Sequence, residues 1–152
     1  MNKLCWCCFF TISGVTFAAE PNKPIVIGIE YAMPGPAKTF AELGVPAAKL
    51  YPDEITWGKM QPTANGKIDF APMDRFVREY QQAGFRELFL VLKAKSPWAS
   101  KDSAKNFAPK AEHHAAFETW VKAVVERYDN DGNNDMPGLK FPVRYYELGS
   151  EW

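Results

Sequence analysis

Four short apolar runs recur along this chain with helix-patterned segments between them, and that alternation limits the possible folds more than any other feature. The runs fall at 25–29 (IVIGI), 47–51, 88–92 (LFLVL) and 143–149. Runs of this length bounded by turn residues read as strands, and strands that alternate with helices form a parallel sheet. The first and third contain no polar interruption, the pattern of strands buried on both faces. A brief helix is expected over 37–43, closed by Gly44 in the left-handed conformation. A second helix starts at Asp69 as N-cap with Pro72 in its first turn, carries Met73, Phe76, Val77 and Tyr80 on one face, and ends at Gly84. A third covers 112–128, where Phe117, Trp120, Val121, Val124, Val125 and Tyr128 keep the helical period. The stretch WGKMQPTANGK reads as a loop and DNDGNNDMPG as a turn. The fold class is therefore α/β, with about four parallel strands and three helices. Internal repeats beyond this unit, low-complexity tracts and domain linkers are lacking.

The first eighteen residues have a different character. One lysine precedes an apolar run from Leu4 to Phe17, and small residues follow, with Thr16 and Ala18 suited to a cleavage site. This is the layout of a secretory signal. The run is shorter than the roughly 20 residues a spanning helix needs, so no membrane span is expected. Residues 1–18 are read as a signal peptide and 19–152 as one catalytic domain, secreted or periplasmic. Cys5, Cys7 and Cys8 all lie inside the signal, at the start of its apolar run and not at its end, where a lipoprotein anchor would need one. The mature chain then has no thiol for a disulfide, a zinc site or a nucleophile. Lysine plus arginine equal aspartate plus glutamate at 18 each, which leaves no excess charge to hold nucleic acid or an anionic membrane.

In parallel α/β barrels the chemistry sits on the loops that follow the strands. Here those positions hold Glu30 and Tyr31 after strand one, Trp57 and Gln61 after strand two, Ser96 to Trp98 after strand three, and Ser150, Glu151 and Trp152 after strand four. Aromatic and acidic groups suit carbohydrate, which offers apolar C–H faces and hydroxyls. A glycine-rich phosphate loop and an HExxH zinc motif are absent from the sequence, and no cofactor or metal is expected.

The blocks WGKMQP (57–62), IDFAPMD (68–74), SPWA (96–99), VERYDNDG (125–132) and PVRYYELGSEW (142–152) resemble, in order and spacing, the first half of the clan of retaining TIM-barrel glycoside hydrolases. That clan includes β-galactosidases, β-xylosidases and cellulases. The resemblance implies the N-terminal half of a (β/α)8 TIM barrel, four of its eight strands. It implies an oligosaccharide or polysaccharide substrate, and it gives Glu151 the role of general acid/base, because the clan's strand-four motif reads Gly-Asn-Glu. Ser150 stands where that asparagine is usual and would reach the sugar hydroxyl beside the scissile carbon less directly. Trp57, Trp98, Ser150 and Glu30 would line the sugar subsites. The clan's nucleophile is a glutamate on strand seven, beyond this sequence. A retaining mechanism needs two carboxyl groups about 5 to 5.5 Å apart, so the chain alone is expected to be inactive. The alternative is a non-catalytic carbohydrate-binding relative, which Ser150 favours, and a TIM-barrel lyase ranks third.

Other residues have plainer readings. Glu147 falls on the inward face of strand four and needs a basic partner, expected on sequence beyond Trp152. Trp57 and Trp98 could equally plug the end of the barrel, and Trp120 lies on the apolar stripe of its helix. His113 and His114, about 100 degrees apart on a helix, cannot converge on one metal. Asp129, Asp131, Asn133 and Asp135 alternate like a calcium loop, but Gly132 stands at its fourth position and Lys140 at its twelfth, so a polar turn is expected.

Overall fold

The computed structural model describes residues 26–51, 53–102 and 108–149. Its strands β1 (Gly28–Ala32), β2 (Ala47–Leu50), β3 (Glu87–Leu92) and β4 (Tyr145–Leu148) form one sheet in the order β1-β2-β3-β4, and every neighbouring pair is parallel. Parallel neighbours oblige each connection to carry the chain back to the starting end of the sheet. Helix α1 (Ala37–Ala41) lies in the first crossover, α2 (Trp57–Met60) and α3 (Ala71–Ala83) in the second, and α4 (His114–Tyr128) in the third.

Strand periodicity divides the sheet into two unlike faces. The ladder aligns Lys49 with Phe89 and Tyr145, and the next row aligns Leu50 with Leu90 and Tyr146. Ala48, Leu50, Leu88, Leu90 and Leu92 therefore point one way, into a core shared with Met73, Phe76, Val77 and Tyr80 of α3 and Trp120, Val124 and Tyr128 of α4. Lys49, Phe89, Tyr145 and Glu147 point the other way. Phe89 and Tyr145 stack there at 4.3 Å between ring centroids, yet remain 37% and 43% exposed. The expectation of strands buried on both faces thus fails for β1 and holds only in part for β3, where Val91 is buried on this second face but Phe89 is not. An unbroken apolar run shows that a strand is core-forming, but the second face needs a second layer, and among the described residues all three longer connections pack on one side.

The element boundaries differ from the sequence reading where tertiary contacts decide them. Strand β1 begins three residues later than the IVIGI run, leaving Val26 and Ile27 outside the ladder and 54% and 65% exposed. Register explains the shift, because β2 opens at Ala47, whose partner is Gly28. The strands approach so closely that a Cβ on Gly28 would lie 2.8 Å from the Ala47 Cβ and carbonyl oxygen. Strand β4 is shorter than 143–149, because Val143 is buried in the core and its N–H donates to the carbonyl of Tyr128 at the end of α4 (2.8 Å). Gly44 and Gly84 both take the left-handed conformation (φ 71° and 107°); Gly84 caps α3 as expected, whereas α1 already ends at Ala41 with Glu42 as its cap, and Gly44 lies in the turn beyond. The N-cap of α3 is Phe70, not Asp69, although the Asp69 carboxylate still accepts the Ala71 N–H at 3.0 Å.

The stretch read as a loop after β2 contains a helical turn instead, so the described residues have four α-helices and not three. Nothing in the side chain of Thr56 caps α2. Its first N–H groups are satisfied from another element: Trp57 N–H donates to Lys93 O and Gly58 N–H to Lys95 O, each at 2.9 Å. The two loops lie so close that a Cβ on Gly58 would sit 2.6 Å from Ser96 Cα and Pro97 Cδ.

Helices α3 and α4 are joined by a polar contact as well as by apolar burial. The Asp74 carboxylate accepts from Arg127 Nη2 (2.6 Å), Arg127 Nε (3.2 Å) and the Tyr128 hydroxyl (2.8 Å). Burial, reinforced by the Asp74 charge, raises the Tyr128 pKa far above its ordinary value, so the hydroxyl remains a donor. On the same helix face Gln81 donates to Phe141 O (2.7 Å) and accepts from Lys140 N–H (2.9 Å), fixing the segment that enters β4.

Two substitutions test this account by denaturant unfolding. Asp74→Ala leaves the Arg127 guanidinium without its counter-charge and the buried Tyr128 hydroxyl without a partner, and should cost about 3 kcal/mol. Gly58→Ala forces apart two hydrogen-bonded loops and should cost about 2 kcal/mol, whereas alanine at half-buried Gly66, whose added Cβ meets only its own turn at Thr63, should cost less.

Candidate functional site

Connections that leave the carboxyl ends of the strands bring a group of charged and aromatic side chains together. Lys93 is the first residue after β3, and its side chain is only 4% exposed. A buried ammonium needs compensation, and two groups supply it: Asp53 Oδ1 at 2.9 Å and the ring of Tyr51, whose centroid is 3.4 Å from Nζ. The hydrogen bond from Lys93, aided by its charge, lowers the Asp53 pKa below its ordinary value. Tyr51 in turn meets Tyr31 nearly at right angles, at 5.3 Å between centroids. Tyr31 has a backbone φ of 56°, a costly conformation for a bulky side chain, at the irregularity where the β1–β2 register shifts.

Beside this group lies an aromatic cluster. Trp57 is 0% exposed and contacts Trp98 (4.6 Å), Phe117 (5.2 Å) and Trp120 (6.4 Å). Its indole N–H donates to Gln61 Oε1, and that of Trp98 donates to the Gln61 carbonyl, both at 2.9 Å. The expectation that Trp57 offers a stacking surface is therefore corrected: other rings enclose it, and it acts as packing beneath the rim. Trp98 is only partly buried and leans edge-on against His113 at 5.2 Å. His113 thus has a packing role, while His114 Nε2 lies separately, 3.2 Å from Pro109 O. Ser96 is fully buried, and its hydroxyl has no hydrogen-bond partner.

The sequence places Glu30 at the rim after strand one. With β1 ending at Ala32 it instead lies within the strand, on the open face, where Lys49 Nζ bridges Glu30 (3.0 Å) and Glu147 (2.8 Å). The partner of Glu147 is accordingly on β2, two strands away, and not on sequence beyond Trp152. Hydrogen bonds to Glu147 and then Glu30 raise the Lys49 pKa. Glu30 and Lys49, with Phe89, Tyr145 and Glu87, border a hollow of about 350 Å³.

Ser150 and Glu151 lie outside the described residues, as does segment 1–18, for which a signal peptide is the expectation from sequence. The last described position of β4's exit is Gly149, whose N–H donates to the Leu92 carbonyl (3.1 Å), so strand four leaves the sheet beside the start of the Lys93 segment. Asp129, Asp131 and Asp135 bring carboxylate oxygens within 4.8 Å of one another. Those oxygens accept backbone N–H groups of Asn130, Asp131, Gly132 and Asn133, which folds the turn on itself. Among the described residues no helix is long and apolar enough to cross a membrane.

Sequence reading missed Lys93, Tyr51 and Asp53. A lysine directly after LFLVL was the available signal, because a charge at the exit of a buried strand must be matched nearby. The pair also gives a pH test. A lowered carboxyl pKa stabilises the fold fully above its unfolded value, near 3.8, and the gain is lost as pH falls through the folded value. The stability gap between the native chain and Asp53→Asn should therefore be constant near neutrality and close on acidification below 3.8, as read by urea unfolding at each pH.

Compared with models of known families, with curated proteins and with solved structures, the chain matches none, so its function must be argued from its own residues.

Proposed function

We propose that this chain is the strand-one to strand-four half of a (β/α)8 barrel that hydrolyses O-glycosidic bonds with retention, exported by its N-terminal signal. The observation that carries the reading is the sheet order β1-β2-β3-β4 with its long helices on one face. A doubly wound sheet reverses its strand order at a switch point and covers both faces. A barrel winds in one direction and leaves its inner face to be filled by side chains. On the face away from the helices Lys49 is paired with both Glu30 and Glu147, the kind of partnering that charged groups inside a closed barrel require. At the carboxyl ends, Tyr31, Tyr51, Trp98 and Lys93 supply the aromatic and charged surroundings that a sugar site needs.

In this reading Glu151 protonates the departing glycosidic oxygen and then activates water, and a glutamate on a later strand is the nucleophile. A raised pKa for Glu151 would come from partial burial and from that second carboxylate, so the tuning is a property of the complete site. Ser150 supports a second reading, an oligosaccharide-binding protein without catalysis, because it shortens the side chain next to the acid/base.

The test uses the full-length gene and its Glu151→Gln variant. On aryl glycosides with a poor leaving group the variant should lose activity by about 100-fold or more. The deficit should shrink markedly for a dinitrophenyl glycoside, whose leaving group needs little protonation. Equal rates in both proteins overturn the assignment, and oligosaccharide binding without turnover in the native protein selects the second reading.

A further inference from the structure

The geometry points to Tyr31 and Tyr51 as a built aromatic platform for one ring of an oligosaccharide, displaced from the cleavage point; this deepens the carbohydrate reading above and rests on it. Four observations converge. Tyr31 is 57% exposed at the end of β1, while the next residue, Ala32, is fully buried. Its backbone holds φ at 56°, a conformation that a tyrosine keeps only when its surroundings dictate it. Its ring meets Tyr51 at 5.3 Å and 87°. The ring of Tyr51 is itself immobilised, because the Lys93 ammonium sits 3.4 Å from its centroid and is held by Asp53 at 2.9 Å.

The chain of contacts runs from a buried cation outward to an exposed ring, and each step removes freedom from the next. A rigid aromatic surface binds with little loss of side-chain entropy. What it fits is a flat, apolar C–H face with hydroxyls at its margin, the face of a pyranose, because the ring's negative face attracts polarised C–H groups. Core packing does not explain Tyr31, since it is exposed, and the bulge that turns it outward carries a strain that glycine at the same position would relieve. Position then defines the ligand class. From β1 to β4 there are three inter-strand spacings, about 14 Å, more than a single sugar ring spans. A ligand that touches both the platform and the exit of β4 is an oligosaccharide.

The experiment measures binding of cellotetraose, xylotetraose and galactotetraose to the 152-residue chain by calorimetry, for native protein and for Tyr31→Ala, Tyr31→Phe and Tyr31→Gly. At least one tetrasaccharide should bind. Tyr31→Ala and Tyr31→Gly should weaken it by about tenfold, and Tyr31→Phe should retain it. Tyr31→Gly should also leave the melting temperature unlowered, since relief of the backbone strain offsets the lost ring contact, so its binding defect cannot be attributed to unfolding. Binding of none of the three sugars, or binding indifferent to Tyr31→Ala, overturns the platform. These outcomes are independent of Glu151: sugar binding that needs Tyr31, with no hydrolysis by the full-length protein, retains the platform and removes the hydrolase, and Glu151-dependent hydrolysis by the full-length protein with Tyr31-indifferent binding does the reverse.

Discussion

The ladder between β2 and β3 governs the rest of this molecule. Four consecutive partners, from Ala47 with Glu87 to Leu50 with Leu90, pair without irregularity. Once that register is set, the two-residue period assigns every side chain on both strands to one face. Leu50, Leu88 and Leu90 then anchor α3 and α4, while Lys49 is committed to the opposite surface, where Glu30 and Glu147 meet it. A slip by a single residue would bury the lysine among leucines and expose the leucines, an exchange costly enough to make the register unique.

From that register follows the stiffness of the carboxyl end. Lys93 continues the β3 direction, so its carbonyl reaches Trp57 N–H and its ammonium reaches Tyr51 and Asp53. One residue thus joins the loops after β2 and β3 through both its main chain and its side chain. Gln61 joins them a second time by accepting from both Trp57 and Trp98. Sites on such braced loops can hold groups in place more accurately than loops that merely extend from the sheet.

What could be read from the sequence was what periodicity encodes. The four strands, the three longer helical segments, the closing role of Gly84 and the placement of Glu147 opposite a basic partner all follow from spacing and residue type. What escaped depends on contacts distant in sequence. No local pattern indicates that α2 takes its capping carbonyls from residues 93 and 95, nor that Gly28 opposite Ala47 would move β1 three residues along. Trp57 reads like a rim aromatic because it follows a strand, and only the arrival of Trp98, Phe117 and Trp120 from later segments encloses it. Tyr51 reads as an ordinary strand terminus, since the ammonium over its ring comes from a lysine 42 positions later, Lys93.

The near-contact of Gly58 with Ser96 and Pro97 has a bearing on how such a molecule can change over time. Two backbones that touch without an intervening side chain cannot drift separately, because an insertion in either one lifts the other. Diversity in ligand preference should therefore accumulate at the tips, around 62–66 and beyond residue 100, while the stems stay constant. Anyone transplanting this rim onto another scaffold would have to move both stems together, as one inherited part.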